Sequence, residues 1–454
     1  MSQLLTNYGA PNINGISAQR VLSNQVLENI YQGIIEDDGK GITQRFTEDC
    51  SGAQIRFVHV KPIFAKAREL GATINGGNFP TLTHEGETDS FGLDVLTVLD
   101  DPIDLANVSK DMIPVDLLSS YIKSYTDLVN VNINAMTIGG KWIASEIAQA
   151  NGSEVNITSY TDGGNLLTTF LNANSLLDDG AEDMGVAMFP QDDRCAVIQT
   201  SYRPILLANG LLNIGGANYA YDIAKKGSVD AGSEPRKSGD GFIGYIDSTP
   251  IHVAASLLFK VAGEYVGVET ADIKNMIGYV SSGFANVRGI AAPRDVKVID
   301  TPQGQGTRLQ PLTRMGFKVV EGYEKGNSLI VKAGTKNIFT DLKTLFGLSD
   351  LTHFVSRGPA SRITLAPVIN AGVGTITITD AKASKIAFVA TASAVKGVND
   401  FLTAYDAAAA NAKGTATSGV AVSSKAGLTA QSKVYVLEMA ADGTLKVSSA
   451  TVAE

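Results

Sequence analysis

Between Pro114 and Thr137 the apolar residues Leu118, Ile122, Tyr125, Leu128, Val129, Ile133 and Met136 recur at the spacing of one helical face. That period predicts an amphipathic helix with a single buried stripe. Pro114 suits a first helical turn, and Asp111 and Asp116 suit the positive end of the helix dipole. The pattern meets Gly139-Gly140 and resumes through Trp142, Ile143 and Ile147. Even the first part would span roughly 36 Å at about 1.5 Å per residue, against a mean helix of about 11–12 residues. A helix this long predicts the backbone of an elongated molecule.

Upstream lie two strand-like runs, Gln54 to Val60 and Phe91 to Leu99. In the second, Leu93, Val95 and Thr97 alternate with Asp94, Leu96 and Val98, giving one apolar and one mixed face. The segment between them is rich in Gly, Thr and charge, including Gly71, Gly76, Gly77, Pro80 and Gly86. The expectation is a long hairpin with a mobile tip. A two-stranded ribbon is marginally stable alone, and a loop this long inside a domain is usually functional, so the hairpin is expected to lie on something else. Before it, Val21, Leu22, Val26, Leu27, Ile30, Tyr31 and Ile34 mark a helical stretch, and Gly9–Gly15 reads as an extended arm.

Downstream of a polar linker, Leu166, Leu167, Phe170, Leu171 and Leu177 predict a shorter helix ending at Asp178-Asp179-Gly180. A compact α/β unit follows: apolar runs Met184–Phe189 and Arg194–Gln199, a helix from Pro204 through Leu212, and paired strands at Phe242–Ile246 and Ile251–Ala254. The segment 227–241 reads as a flexible excursion. A third unit, about 261–331, is expected to hold a helix around Ala271–Phe284 with strands at Val296–Ile299 and Phe317–Val320. From Ser361 alanine becomes frequent and aromatic residues sparse. There the pattern predicts strands Thr375–Thr379 and Lys385–Ala390, a helix Val398–Ala412, and strands Val420–Ser423, Val434–Met439 and Leu445–Val452. That is a separate small α+β domain.

Chemistry is sparse. Of four histidines, His59, His252 and His353 read as packing or surface residues. His84-Glu85-Gly86-Glu87-Thr88-Asp89 gathers an imidazole and three carboxylates, but no second His has ligand spacing, so it reads as solvated charge. Gly304-Gln305-Gly306 and Ile214-Gly215-Gly216 sit at no strand-to-helix junction, and neither a P-loop nor a nucleophile elbow is present. The acidic pairs Asp37-Asp38, Asp100-Asp101, Asp178-Asp179 and Asp192-Asp193 fall at turns and element ends. Cys50 and Cys195 are far apart and outside any metal or redox motif, which predicts two buried free thiols. With 46 acidic against 37 basic residues and no basic stripe, direct phosphate binding is disfavoured. The N-terminus lacks a basic region followed by an apolar core, and no apolar stretch reaches the ~18 residues of a membrane span. The expectation is a cytoplasmically made structural protein with no enzymatic activity, no cofactor, no metal and no membrane partner. Only 18% of its residues are charged, which suits a surface hidden against other copies.

Taken in order, these elements resemble the major capsid proteins of tailed bacteriophages, a fold shared with encapsulin compartments. In that family an N-terminal arm leads into an extended two-stranded loop and a long spine helix, and peripheral and axial domains follow. Gln54–Lys61 and Phe91–Val98 match the extended loop, Asp100-Asp101-Pro102-Ile103-Asp104 through Met112 its return, and Pro114–Ala148 the spine. The run Leu176-Leu177-Asp178-Asp179-Gly180, then Arg194-Cys195-Ala196-Val197-Ile198 and Tyr202-Arg203-Pro204-Ile205, resembles the peripheral domain's helix, buried strand and following helix. Gly241 to Val253 resembles the strand that returns to the body.

The resemblance implies an α+β fold. Its parts would be an arm (1–50), an extended loop (51–112), spine and peripheral domain (113–260), an axial domain (261–360) and an added, surface-projecting C-terminal domain (361–454) whose removal leaves the shell competent. It implies self-assembly into hexamers and pentamers around a genome that is not read by sequence, with portal, scaffolding and decoration proteins as partners. Assembly would take place in the host cytoplasm, and the product would be a virion. Arg56, Lys61, Lys66, Arg68, Glu85 and Glu87 are the candidates for ion pairs between subunits. Rival readings are an encapsulin-like shell, a tail component such as a sheath, an S-layer subunit, and an enzyme with an unrecognised site. No cross-linking partner motif accompanies Lys61 or Lys66, so that chemistry of some relatives is not implied.

Overall fold

The computed structural model describes residues 44–46, 54–60, 86–92, 94–97, 114–151, 163–181, 186–208, 242–246, 249–266, 276–291, 297–300, 307–310, 312–332, 337–349, 351, 365–423, 425, 427–441 and 443–453. Residues 1–43 of the expected arm, Cys50, His84, the excursion at 227–241 and His353 lie outside the described residues. In chain order the first part holds strands β1 (Gln44–Phe46), β2 (Gln54–Val60), β3 (Gly86–Gly92) and β4 (Asp94–Thr97), then helix α1 (Pro114–Ala150). Next come α2 (Gly163–Leu176), β5 (Arg194–Gln199), α3 (Arg203–Ala208), β6 (Phe242–Ile246), β7 (Thr249–Ala254) and α4 (Ser256–Val266). They are followed by β8 (Met276–Ser282), β9 (Asn286–Ala291), β10 (Lys297–Asp300), β11 (Thr307–Gln310), β12 (Leu312–Val319), β13 (Asn327–Val331) and α5 (Ile338–Phe346). The C-terminal part holds β14 (Val368–Gly372), β15 (Thr375–Thr379), β16 (Ala383–Ala390), α6 (Val398–Ala407), β17 (Lys413–Ala416), β18 (Ala421–Ser423), β19 (Lys433–Ala440) and β20 (Leu445–Thr451). The fold is α+β.

The long helix is a single element of 37 residues, about 55 Å at about 1.5 Å per residue. It does not break at Gly139-Gly140. Each glycine costs a helix up to about 1 kcal/mol against alanine, so something must offset it. At Gly140 the missing Cβ is that offset: a methyl there would overlap ring carbons of the buried Phe317 on β12. The glycine lets an aromatic ring of the sheet lie directly on the helix backbone.

Two sheets flank this helix. One has the order β1-β9-β12-β4, and the other, five-stranded, has the order β13-β8-β5-β7-β6 with β5 and β7 parallel. The strands of the second alternate their allegiance with the period of two that a pleated strand imposes. Cys195 and Val197 of β5 join the apolar cluster of α1 and α4, while Ala196 and Ile198 join the cluster of α2. The Cys195 thiol is buried and donates to Ala196 O at 3.5 Å.

Within the segment expected as a helix around Ala271–Phe284, Met276–Ser282 is instead β8, a central strand buried along its whole length, and residues 271–275 lie outside the described residues. Strands covered on both faces read as continuous apolar runs, which periodicity cannot separate from a buried helix. The β-forming residues Ile277, Tyr279 and Val280 decide it here, and Gly278 allows the close approach of β5 at Val197. The helix of this region is α4, earlier in the chain.

The hairpin also differs in detail from the expectation. Its return arm is Gly86–Gly92, in register from Gln54↔Gly92 to Val60↔Gly86, and β4 leaves it to pair with β12. The sequence GETDSFG has Phe91 as its one large apolar side chain, so the hydrophobic pattern points to the run that begins at Phe91 rather than to this arm.

In the C-terminal part a three-stranded sheet (β14-β15-β18) faces a four-stranded one (β17-β16-β19-β20). Ile376, Ile378, Ile386, Phe388, Val434 and Val436 are packed in one cluster between them. Helix α6 stops at Ala407 rather than at Ala412, although alanine favours helix. Lys413 Nζ donates to the carbonyls of Tyr405 and Asp406 at 2.6 and 3.3 Å, satisfying acceptors that a continuing helix would have used.

The other face of the four-stranded sheet contributes Ala387, Val389, Tyr435, Leu437 and Met439 to the same core as α5, α6 and α1. The apolar core therefore runs without interruption from the body into the C-terminal part.

Candidate functional site

The functional candidate is a scaffold, and its centre is α1. From Ile133 to Ala148 every residue of the helix is buried, whereas Lys123, Ser124, Asp127 and Leu128 in its earlier part are exposed. Polar side chains in the enclosed half must find partners, because an unpaired buried polar group costs about 1–3 kcal/mol. They do so by stitching α1 to each neighbour. Tyr125 shares a hydrogen bond with Thr313 on β12, and burial pushes its phenol up to about 12. Lys141 Nζ donates to Ser281 Oγ on β8 at 2.8 Å and lies 4.8 Å from the centroid of the Tyr279 ring. Ser145 Oγ accepts from the Leu329 amide at 3.0 Å, covering an amide on β13, the outermost strand of its sheet.

At its C-terminal end the helix is joined to α5. Glu146 is buried, and its Oε2 accepts from the Ile338 amide at 3.0 Å. Asn337 caps α5 by accepting from the Thr340 amide at 2.9 Å, and its Nδ2 donates to Glu146 O and Gln149 Oε1. A carboxylate at a helix N-terminus also meets the positive end of its dipole. Gly347, in the left-handed region at φ 60°, closes α5.

A second hub sits at the start of β5. Arg194 is almost wholly buried, and its guanidinium donates to Asn174 O at 2.9 Å, Asp178 Oδ1 at 2.6 Å and Phe189 O at 2.8 Å. It fixes the end of α2 to the strand that follows. Asp193 beside it is pushed up to about 6, chiefly by burial; a hydrogen bond from the Phe284 backbone and the charge of Lys141 oppose that rise. The sequence alone assigns neither Arg194 nor the Asp178-Asp179 pair this role. An arginine opening an apolar strand sixteen residues after an acidic pair was the available signal.

The residues expected to pair between subunits are placed as follows. Arg56 stands on β2 opposite Ser90, and Glu87 on β3 opposite His59. Lys61, Lys66, Arg68 and Glu85 lie outside the described residues. The hairpin β2–β3 forms a two-stranded sheet of its own. His252 is buried in the five-stranded sheet. Among the described residues no three His, Cys, Asp or Glu side chains gather as a metal site, and no helix is long and apolar enough to cross a membrane.

No family model matches the chain, and no curated protein matches it. Solved structures do. The capsid of Ralstonia phage GP4 aligns at 12% identity over 67% of this chain and 91% of that one, with a TM-score of 0.44. The mature capsid of bacteriophage PhiM1 aligns at 13% identity over 65% and 87%, TM-score 0.41. The capsid of cyanophage P-SCSP1u aligns at 16% identity over 64% and 87%, TM-score 0.39. The structures it resembles here are phage capsids.

Proposed function

We propose that this chain is a major capsid protein that assembles with copies of itself, as hexamers and pentamers, into the icosahedral shell of a tailed phage. The observation that carries the reading is the pairing of two elements. A 37-residue helix is enclosed on all sides along its second half and presents an exposed face in its first. Ahead of it a hairpin stands as a separate two-stranded sheet. Such a ribbon gains stability only by lying on another surface, and in a shell that surface is the neighbouring subunit. Its role is mechanical rather than catalytic.

On this reading residues 1–50 are the arm, 51–112 the extended loop, 113–260 the spine and peripheral domain, and 261–360 the axial domain. Arg56, Lys61, Lys66, Arg68, Glu85 and Glu87 pair with charges of the adjacent subunit. Portal, scaffolding and decoration proteins are the partners, and assembly takes place in the host cytoplasm. The genome is enclosed without sequence reading, in keeping with a net charge of −9.

Electron microscopy of the purified chain, with a scaffold supplied where needed, is expected to show closed shells or hexameric capsomers. A chain that stays monomeric under every assembly condition overturns the proposal. Replacing 54–92 by a short Gly/Ser linker is expected to abolish shells while the body keeps its unfolding transition. Normal shells from that variant would remove the hairpin from the mechanism. Host shells that hold a protein cargo and no nucleic acid would assign the fold to a compartment instead.

A further inference from the structure

The C-terminal part contains a buried charge that no neighbour neutralises by contact. Glu438 on β19 is fully buried, and neither carboxylate oxygen has a hydrogen-bond partner among the described residues. It shares a face with Val434 and Val436, whose cluster fills the space between the two sheets. Across the ladder its neighbours are Ile386 on β16 and Lys446 on β20. The charged groups acting on it are Asp380, from the turn before β16, and Lys446.

Those same two residues hold the chain segment that leads into this part. Asp380 Oδ2 accepts from the Ala366 amide at 2.6 Å, and its Oδ1 from the Lys382 amide at 2.8 Å. Lys446 Nζ donates to Leu365 O at 2.7 Å. Leu365 is itself buried. The incoming segment is therefore fastened by one carboxylate and one ammonium, and Glu438 sits beside both.

We infer that Glu438 is a proton-controlled latch on the segment 365–366, closed when its carboxyl is neutral and loosened when it ionises. A neutral Glu438 leaves Lys446 free to hold Leu365 O and leaves Asp380 unopposed. An ionised Glu438 repels Asp380 and competes for Lys446, so both fastenings weaken together. The chemistry fits the setting: burial first, then the Asp380 charge, push this carboxyl from 4.5 to about 7, with Lys446 opposing. An acid whose closed-state value is raised binds its proton more tightly closed than open. The latch is thus at full strength below about 4.5, weakens as pH rises towards about 7, and changes no further above it. The inference does not depend on the shell reading.

Hydrogen exchange by mass spectrometry on the full-length chain, corrected for the intrinsic pH dependence of exchange, tests it in peptides covering 365–367. Between pH 5 and 7 wild-type protection is expected to fall by on the order of tenfold per pH unit, the limit for one linked proton, and then to level off. Glu438→Gln, permanently neutral, is expected to stay protected and flat, with peptides around Trp142 as the control. Lys446→Met removes the opposing charge and is expected to move the plateau above pH 7. A flat wild-type profile, or an unchanged slope in Glu438→Gln, overturns the inference. Where the glutamine variant does not fold, the wild-type slope and the shift in Lys446→Met decide it.

Discussion

The contact between Gly140 and Phe317 makes a prediction whose sign can be reversed at will. Alanine in place of glycine inside a helix ordinarily stabilises by about 1 kcal/mol. Here the added methyl overlaps the ring of Phe317, which is 1% exposed. Overpacking of this kind costs about 1–3 kcal/mol. Gly140→Ala is therefore expected to destabilise the chain by up to about 2 kcal/mol net. Phe317→Val removes the offending ring carbons, leaves a cavity, and is expected to cost about 2–4 kcal/mol by itself. In that background Gly140→Ala should switch sign and stabilise by about 1 kcal/mol, because the methyl fills vacated space and the helix propensity is recovered. The coupling in the double-mutant cycle is then about 1–3 kcal/mol. Urea unfolding of the unassembled chain at low concentration measures all four variants, and unchanged m-values would show that the unfolded state is not responsible. A coupling below about 0.5 kcal/mol, or a stabilising Gly140→Ala in the wild-type background, would refute the claim that this glycine exists for the ring.

Further outcomes follow from the other junctions. Arg194→Met should lower stability by about 1–3 kcal/mol, because the Asn174 and Phe189 carbonyls lose their buried donor while the exposed Asp178 carboxylate is rehydrated; Arg194→Lys should rescue little, since an ammonium lacks the planar fork. Glu146→Ala should cost about 1–3 kcal/mol in urea unfolding, because the buried Ile338 amide loses its acceptor. Asp193 is raised from 3.8 to about 6, so it favours the fold when protonated. Its share of stability declines as pH rises from about 4 to 6, and a melting series at pH 4 to 7 should show Asp193→Asn less pH-dependent than wild type. Truncation after residue 360 should lower the melting temperature or the soluble yield, since it uncovers the apolar face of α5; an unchanged transition would make the shared core irrelevant.

The sequence leads to the expectation that a chain without 361–454 still forms a competent shell; the shared core adds a stability cost to that removal, and the reason is physical. Strand order and alanine content mark a separate unit, but the face it turns to the body is visible only in three dimensions. On β19 the alternating residues Tyr435, Leu437 and Met439 look like half of any sheet; nothing along the chain says that their partner is a helix near residue 340. Much else was legible. The 3.6 period found α1, an apolar run found β5, and strand-like runs found β2, β15, β16, β19 and β20. The reading failed where signals overlap or vanish, at the doubly buried β8 and the polar arm β3. The buried charges Arg194, Glu146 and Glu438 were illegible as a group, because a charged residue declares its partner only through the fold.

Periodicity along α1 itself separates the part of the helix that serves the subunit from the part that can serve a neighbour. Through Leu128 and Val129 apolar residues keep to one stripe, the mark of a helix with one wet face. From Ile133 onward apolar and small residues occupy every face: Ala135, Met136, Ile138, Gly139, Trp142, Ile143, Ala144 and Ile147. A helix apolar all round is enclosed by its own protein, and two sheets, α4 and α5 enclose this one. Its polar residues there, Lys141, Ser145 and Glu146, each hold a named neighbour. The earlier turns are built differently. They expose Lys123, Ser124, Asp127 and Leu128, and they lie on the hairpin's side of the chain. One helix thus has a half committed to the subunit's own core and a half left with an amphipathic face. Under the proposed shell assembly, a molecule built in that way has its rigid axis fixed before it meets a second copy.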